Sequence, residues 1–456
     1  MEQTFQANPY TSTPIDLIAG VRVLSPGYDP TQKHDLHIAD GRIKSIDPHD
    51  PDQPFEARDK VLDARNYLIA SSLCHAHVHL DKCFLLSDPK YADLEIVKGD
   101  FAEAMTLTSE AKQRFEREDL LRRGKWLITE SILSGVTHMR CFAEVDYVVG
   151  LKCLDAAIEL KRMFEDACEI QICAFAQEPL FSGPSAAINR TLMNRASDRE
   201  EVDVLGSTPY VEHGLNDDLI NMKLSLKLAF SRRKHLDLHL DYDLERAREP
   251  SINHLIGAFS GLQWTHLAPA KTVAVGHCTR LTRFPKGEWE RIARALQHLP
   301  FHIIGLPTSD LFMQGKPGLQ SGGGRRSRGT LQIPQMIDEY GIKSCISINN
   351  VGNAFTPCGS CDPLSIASMG VALYQAGTKD DAQILYECVS KRAKAAIGYP
   401  TDPFTVGESA DFVLFDMEGA TGPVYTGRRG RRTLQEIVND PPHDRKTIFK
   451  GQMISV

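Results

Sequence analysis

Cys74-His75-Ala76-His77-Val78-His79-Leu80-Asp81-Lys82 is the stretch on which the reading of this chain turns. An apolar run beginning near Tyr67 ends here in polar residues. Residues two apart on a strand share a face, so His77 and His79 can present their rings to a single point. Outward from this stretch, apolar strand-like runs alternate with helical ones. Candidate strands cover 67–79, 136–142, 169–175, 202–211, 235–239, 272–277, 301–306 and 343–348, with helices such as 147–167, 217–234 and 286–297 between them. Eight buried strands alternating with helices predict βαβ units closed into a (β/α)8 TIM barrel. No G-x-G-x-x-G follows an early strand, so an open doubly wound sheet lacks its usual support.

The two ends of the chain differ in character. Residues 17–24 are β-rich, and Asp40-Gly41 between alternating apolar positions is a hairpin signal. Strand-like runs return at 410–415 and 447–454. Neither end supplies enough strands alone. Residues 1–70 and 400–456 are therefore expected to build one composite β-sandwich domain beside a barrel of residues 71–399.

Across 456 residues, 52 Lys and Arg against 59 Asp and Glu leave a formal charge of −7, which argues against a nucleic-acid-coating protein. Eleven cysteines, an odd number scattered along the chain, fit reduced thiols in the cytoplasm better than a disulfide framework. The first residues lack a basic and apolar leader pattern, and no apolar run approaches the roughly 20 residues that span a bilayer. The expected partner is a small-molecule substrate, with neither nucleic acid nor membrane; a homo-oligomer is compatible with the chain.

Barrel enzymes hold their chemistry at the C-terminal ends of the strands. There the fifth candidate strand offers Asp237-Leu238-His239-Leu240-Asp241 and the sixth Val275-Gly276-His277-Cys278. Neutral imidazoles suit zinc or iron, and three protein ligands with one open position is the usual catalytic arrangement. His77, His79 and His239 are thus candidate ligands of one divalent ion. His277 is either a further ligand or a group that hydrogen-bonds the metal's water.

These residues, with Gly135-Val136-Thr137-His138-Met139-Arg140, Ala174-Phe175-Ala176-Gln177-Glu178, Met313-Gln314-Gly315, Val351-Gly352-Asn353-Ala354-Phe355 and Gly407-Glu408-Ser409-Ala410-Asp411, resemble the amidohydrolase superfamily over nearly the whole chain. The likeness is greatest to its cytosine deaminase and triazine amidohydrolase branches. The resemblance implies that His77, His79 and His239 hold one ion, zinc or iron, and that His277 contacts the hydrolytic water. It further implies that Gln177 touches the substrate ring and that Phe355 lines the pocket. Lys82 matches a lysine of the triazine-type members, where its ammonium would hold an anionic or carbonyl group.

Two positions depart from the pattern. Asn349 stands where the family has an aspartate that ligates the metal and takes a proton; an amide carries no charge and is no base near neutral pH. Tyr242 replaces the glutamate that shuttles protons in cytosine deaminases, and its ordinary pKa near 10 makes it a poor shuttle. Asp241, Asp310 and His277 are the candidate substitutes, Asp241 having a plain capping role as its alternative. Cys358 and Cys361 form a C-x-x-C without the upstream H-x-E of zinc nucleoside deaminases and are expected at the pocket edge. The basic run 321–329 is expected to be a solvated loop, its alternative being to cover the pocket or attract an anionic substrate, and 427–432 is expected at the surface or an interface. The whole predicts a metal-dependent hydrolase that uses a metal-activated water on a non-peptide C–N bond of a cyclic amide, amidine or amino-heterocycle. A non-hydrolytic lyase or decarboxylase, or a silent ligand-binding barrel, are the alternatives that Asn349 and Tyr242 leave open.

Overall fold

A computed structural model of the chain describes residues 9–52, 60–242, 244, 249–260, 264, 270–315, 328–400, 402–417 and 429–456. Eight parallel strands, β1 (Leu73–His79), β2 (Val136–Glu144), β3 (Glu169–Ala176), β4 (Val204–Ser207), β5 (His235–Leu240), β6 (Val273–His277), β7 (Phe301–Gly305) and β8 (Ser344–Ile346), pair in sequence order. Just beyond β8 the circle closes: Val78 bridges Asn349, whose N–H donates to His77 O at 3.1 Å while His79 N–H donates to Asn349 O at 2.8 Å. The strands read as unbroken apolar runs because both faces are covered, outside by helices and inside by each other. All nine residues of β2 are buried.

Period-two alternation decides what fills the interior. Arg140 on β2 donates to Asp237 on β5 at 2.8 Å and to Gln171 on β3 at 3.0 Å, forming a buried polar layer. Phe142, Cys173, Phe175 and Val204 make an apolar cluster. The imidazoles rest on it, His77 lying 4.0 Å from Phe142 and His239 4.5 Å from Phe175 between ring centroids. Helix α1 (Phe101–Lys112) and helix α2 (Arg117–Leu133) follow β1.

Both termini join one mixed nine-stranded sheet around Ile18, Val21, Leu36, Ile69, Phe412 and Ile448. Its strand Tyr67–Ser71 pairs antiparallel with Phe412–Asp416. The predicted single strand 67–79 is therefore two strands in two sheets. Ser72 marks the change, fully buried, its hydroxyl 2.7 Å from Thr137 Oγ1 and from Lys394 Nζ. Continuous hydrophobicity carries no mark where a strand passes from one sheet to another. The predicted 202–211 shrinks to Val204–Ser207 and a short turn at Pro209–Val211, where proline cannot donate to a ladder.

All eleven cysteines are unpaired, and of these only Cys358 is exposed. No helix among the described residues is long and apolar enough to cross a membrane. Residues 321–327 of the predicted basic loop, and 427–428 of the second basic run, lie outside the described residues. In the latter run Arg429 and Arg431 pair with Asp440.

Candidate active site

The pairing of β1 with β2 slips between His75 and Val78, so β1 carries one extra residue there. A bulge re-aims the side chains that follow it. His75 points outward, its Nε2 3.1 Å from Ser131 Oγ on α2 and 3.0 Å from Cys361 O. His77 and His79 point inward and meet His239 from β5: the three offer ligand atoms that all lie within 4.8 Å of one another, and all are buried. Gly276 on β6 leaves room for this ring, since a Cβ there would lie 3.3 Å from His77 Cε1, a tight contact.

Both ring nitrogens of His77, Nδ1 of His79 and Nε2 of His239 are buried with no hydrogen-bond partner. Burial and mutual repulsion hold the three rings well below the usual imidazole range, Lys82 adding to the effect, so they stay neutral. Buried unpaired nitrogens are costly unless something accepts them. Neutral, convergent and unpaired, they fit a divalent cation. Among the described residues this is the one such group of His, Cys, Asp and Glu. A cavity of about 620 Å³ opens instead near the strand starts, beside Thr272, Pro300 and Ser344, away from these rings.

His277 closes the ring of histidines, 5.0 Å from His239 between centroids. It sits at φ 67°, as Asp241 does at 49° and Asn349 at 61°. Such left-handed strand ends are best tolerated by Asn, Asp and His and gather at functional sites. Asp310, on the helix Pro307–Met313, holds His277 Nδ1 at 2.7 Å and accepts from Thr330 Oγ1 at 2.9 Å. Burial raises the Asp310 carboxyl, opposed by that hydrogen bond to His277. Asn349 Oδ1 is buried and unpartnered.

The remaining predicted residues divide. Lys82 Nζ lies 2.7 Å from Glu144 Oε1, 3.5 Å from Gln177 Oε1 and 4.5 Å from the centroid of Phe355, which brings the predicted Lys82, Gln177 and Phe355 together. Its backbone is clamped: Arg123 on α2 donates to Asp81 O at 2.8 Å and Cys83 O at 2.9 Å, and Asn353 Nδ2 to Lys82 O at 3.1 Å. Tyr242 joins Phe355, Met313 and Phe101 in an apolar cluster, its ring 5.5 Å from His277. Asp241 is turned elsewhere. Its carboxylate accepts from Ser251 N at 2.7 Å and Ile252 N at 3.0 Å, at the start of the helix Ser251–Ser260. The strand ends before it, so it does not share a face with His239.

Sequence reasoning missed Glu144 and Lys112. Glu144 ends β2 one step above Phe142, a position the period-two pattern marks, but the predicted strand stopped at 142. Lys112 reads as an ordinary helix lysine, and no sequence signal sets it apart. Asp237 was quoted but given no role; it lies with Oδ1 3.7 Å from His77 Nδ1, and burial raises its carboxyl to about 6 against the pull of Arg140.

No family model matches the chain. It is 22% identical over 364 residues to N-isopropylammelide isopropyl amidohydrolase of Pseudomonas sp. (strain ADP), covering 78% of this chain and 81% of that one. The crystal structure of 5-methylcytosine deaminase from Klebsiella pneumoniae with 5-fluorocytosine superposes with a TM-score of 0.78 at 21% identity over 96% of both chains. An adenosine deaminase from Xanthomonas campestris with bound zinc gives 0.66 at 14% identity, covering 97% of this chain and 93% of that one. The barrel and its terminal sheet thus share the fold of these deaminases.

Proposed function

We propose that the chain is a metal-dependent hydrolase acting on a non-peptide C–N bond of a small cyclic amide, amidine or amino-heterocycle. The observation that carries this reading is the convergence of His77, His79 and His239, buried and neutral, each with at least one ring nitrogen unpaired. These three residues would hold one zinc or ferrous ion, which supplies Lewis acidity and an acidified water. The fold's relatives named above, amidohydrolases and deaminases by name, support the same chemistry.

The chain's own residues supply the rest. Asp310 fixes the tautomer of His277 by accepting a hydrogen bond from Nδ1–H, which leaves Nε2 as the face able to accept a proton from the attacking water and return it to the leaving nitrogen. A proton relay through His277 needs no carboxylate at the position where Asn349 stands. Phe355 and Tyr242 give a planar substrate an aromatic wall, while Lys82 and Gln177 offer donors to a ring carbonyl or imine nitrogen. Exclusion of water by this wall strengthens each of those polar contacts.

The test is turnover of a panel of amino-heterocycles and cyclic amides in ¹⁸O-labelled water by the metal-reconstituted protein. Label is expected in the product, with His277→Ala lowering kcat by about 10²–10⁴-fold. Turnover without label incorporation would reject hydrolysis and favour a lyase.

A further inference from the structure

Helix α1 is a feature the proposed reaction leaves unused. Its first residue, Phe101, lies 5.3 Å from Tyr242, 5.8 Å from Tyr210 and 6.1 Å from Phe355 between ring centroids. Its last residue, Lys112, sends Nζ to Glu144 Oε2 at 2.8 Å, Asp146 Oδ2 at 2.6 Å and Glu178 Oε1 at 3.3 Å. Those carboxylates end or follow β2 and β3, whereas the rings of Tyr242 and Phe355 follow β5 and β8. Twelve residues at about 1.5 Å each give a rod of about 18 Å, enough to cross the mouth of the barrel. What lies beneath is sealed: His79, Lys82, Gln177, His277, Asn349 and Phe355 are each less than 5% exposed. Entry of a small molecule to the imidazoles would therefore displace part of this rim.

Glu144 links the helix to the site. One of its oxygens takes Lys112 and the other takes Lys82, so the helix and the pocket ammonium share a single carboxylate. Burial disfavours the Lys112 charge, yet Glu144, Asp146 and Glu178 outweigh it and raise that ammonium well above its usual range. The grip is electrostatic. Without the cation, three neighbouring carboxylates would repel one another.

We propose that Lys112 is a positioning residue: by gripping Glu144 it fixes the ammonium of Lys82, and it fastens α1 as the roof whose Phe101 selects flat substrates. The selection of substrate rests on the hydrolase reading; the grip on α1 does not.

Hydrogen exchange on the full chain tests the grip, comparing Lys112→Met with Lys112→Arg. Lys112→Met is expected to raise amide exchange over Phe101–Lys112 about tenfold or more relative to α2, while Lys112→Arg stays within about threefold of the parent. Should Lys112→Met fail to fold, Glu178→Gln removes one half-buried anchor, and a smaller rise confined to α1 is expected. Protection of α1 unchanged in the folded variant, or loosened equally across the molecule, would overturn the proposal. On a substrate found by the labelling assay, Lys112→Met is expected to raise KM more than it lowers kcat, with Lys112→Arg restoring KM; unchanged constants would overturn the link to Lys82. If the parent turns over nothing, the hydrolase reading falls, and exchange still decides whether Lys112 holds α1.

Discussion

Three strand-end residues set the chemistry of the site, and each carries a different constraint. His277 is oriented by Asp310, Asn349 presents an unpaired carboxamide oxygen, and Asp241 spends its carboxylate on two helix amides. The last point favours the capping role over the base, two roles left open by the sequence. A general base contributes about 10²–10⁴-fold, whereas an acceptor at a helix start contributes about 1 kcal/mol of stability. Asp241→Asn keeps an acceptor and removes the base. We expect turnover within about threefold of the parent, measured with substrate saturating, and a loss beyond about 100-fold would restore Asp241 as the proton acceptor. The convergence of His77, His79 and His239 was legible in the sequence because histidine is chemically distinctive at strand ends. The direction of a carboxylate such as that of Asp241 was not, because a single left-handed residue redirects it and nothing local announces that turn.

At the scale of elements, the sequence marked the eight barrel strands by their apolar runs and turned vague wherever two elements shared one run. The passage from Tyr67–Ser71 to β1 is such a place, since both strands are buried and Ser72 alone separates them. The bulge in β1 is another. Strict alternation would put His75 on the face of His77 and His79, but the extra residue sends His75 to Ser131 and Cys361 instead. Bulges depend on the partner strand, so one strand's own pattern cannot display them. The same limit hid Lys112, whose partners arrive from strands 32 or more residues away.

For the molecule as a whole, buried neutral histidines outside the candidate metal site link stability to pH. Burial lowers His75 to about 4 and His302 to about 3. In the unfolded chain these groups protonate near 6.5, so there the unfolded state takes up protons that the folded state refuses. The stability these two histidines contribute is therefore full above about pH 6.5 and falls as pH drops from 6.5 toward 4, at up to about 1.4 kcal/mol per pH unit for each, opposed in part by buried carboxyls such as Asp237 that bind protons in the folded state. Denaturant unfolding of metal-free protein at pH 7.5, 5.5 and 4.5 should show this decline, and His75→Gln should make it shallower. A flat profile would mean that these rings protonate in place.

The account depends on three imidazoles from two strands sharing one cation. Metal analysis with X-ray absorption on the full chain, after loading with zinc or ferrous iron, tests this most directly. One ion per chain with nitrogen donors is expected, lost in His77→Ala, His79→Ala and His239→Ala alike; an ion retained at full stoichiometry in all three variants would contradict it.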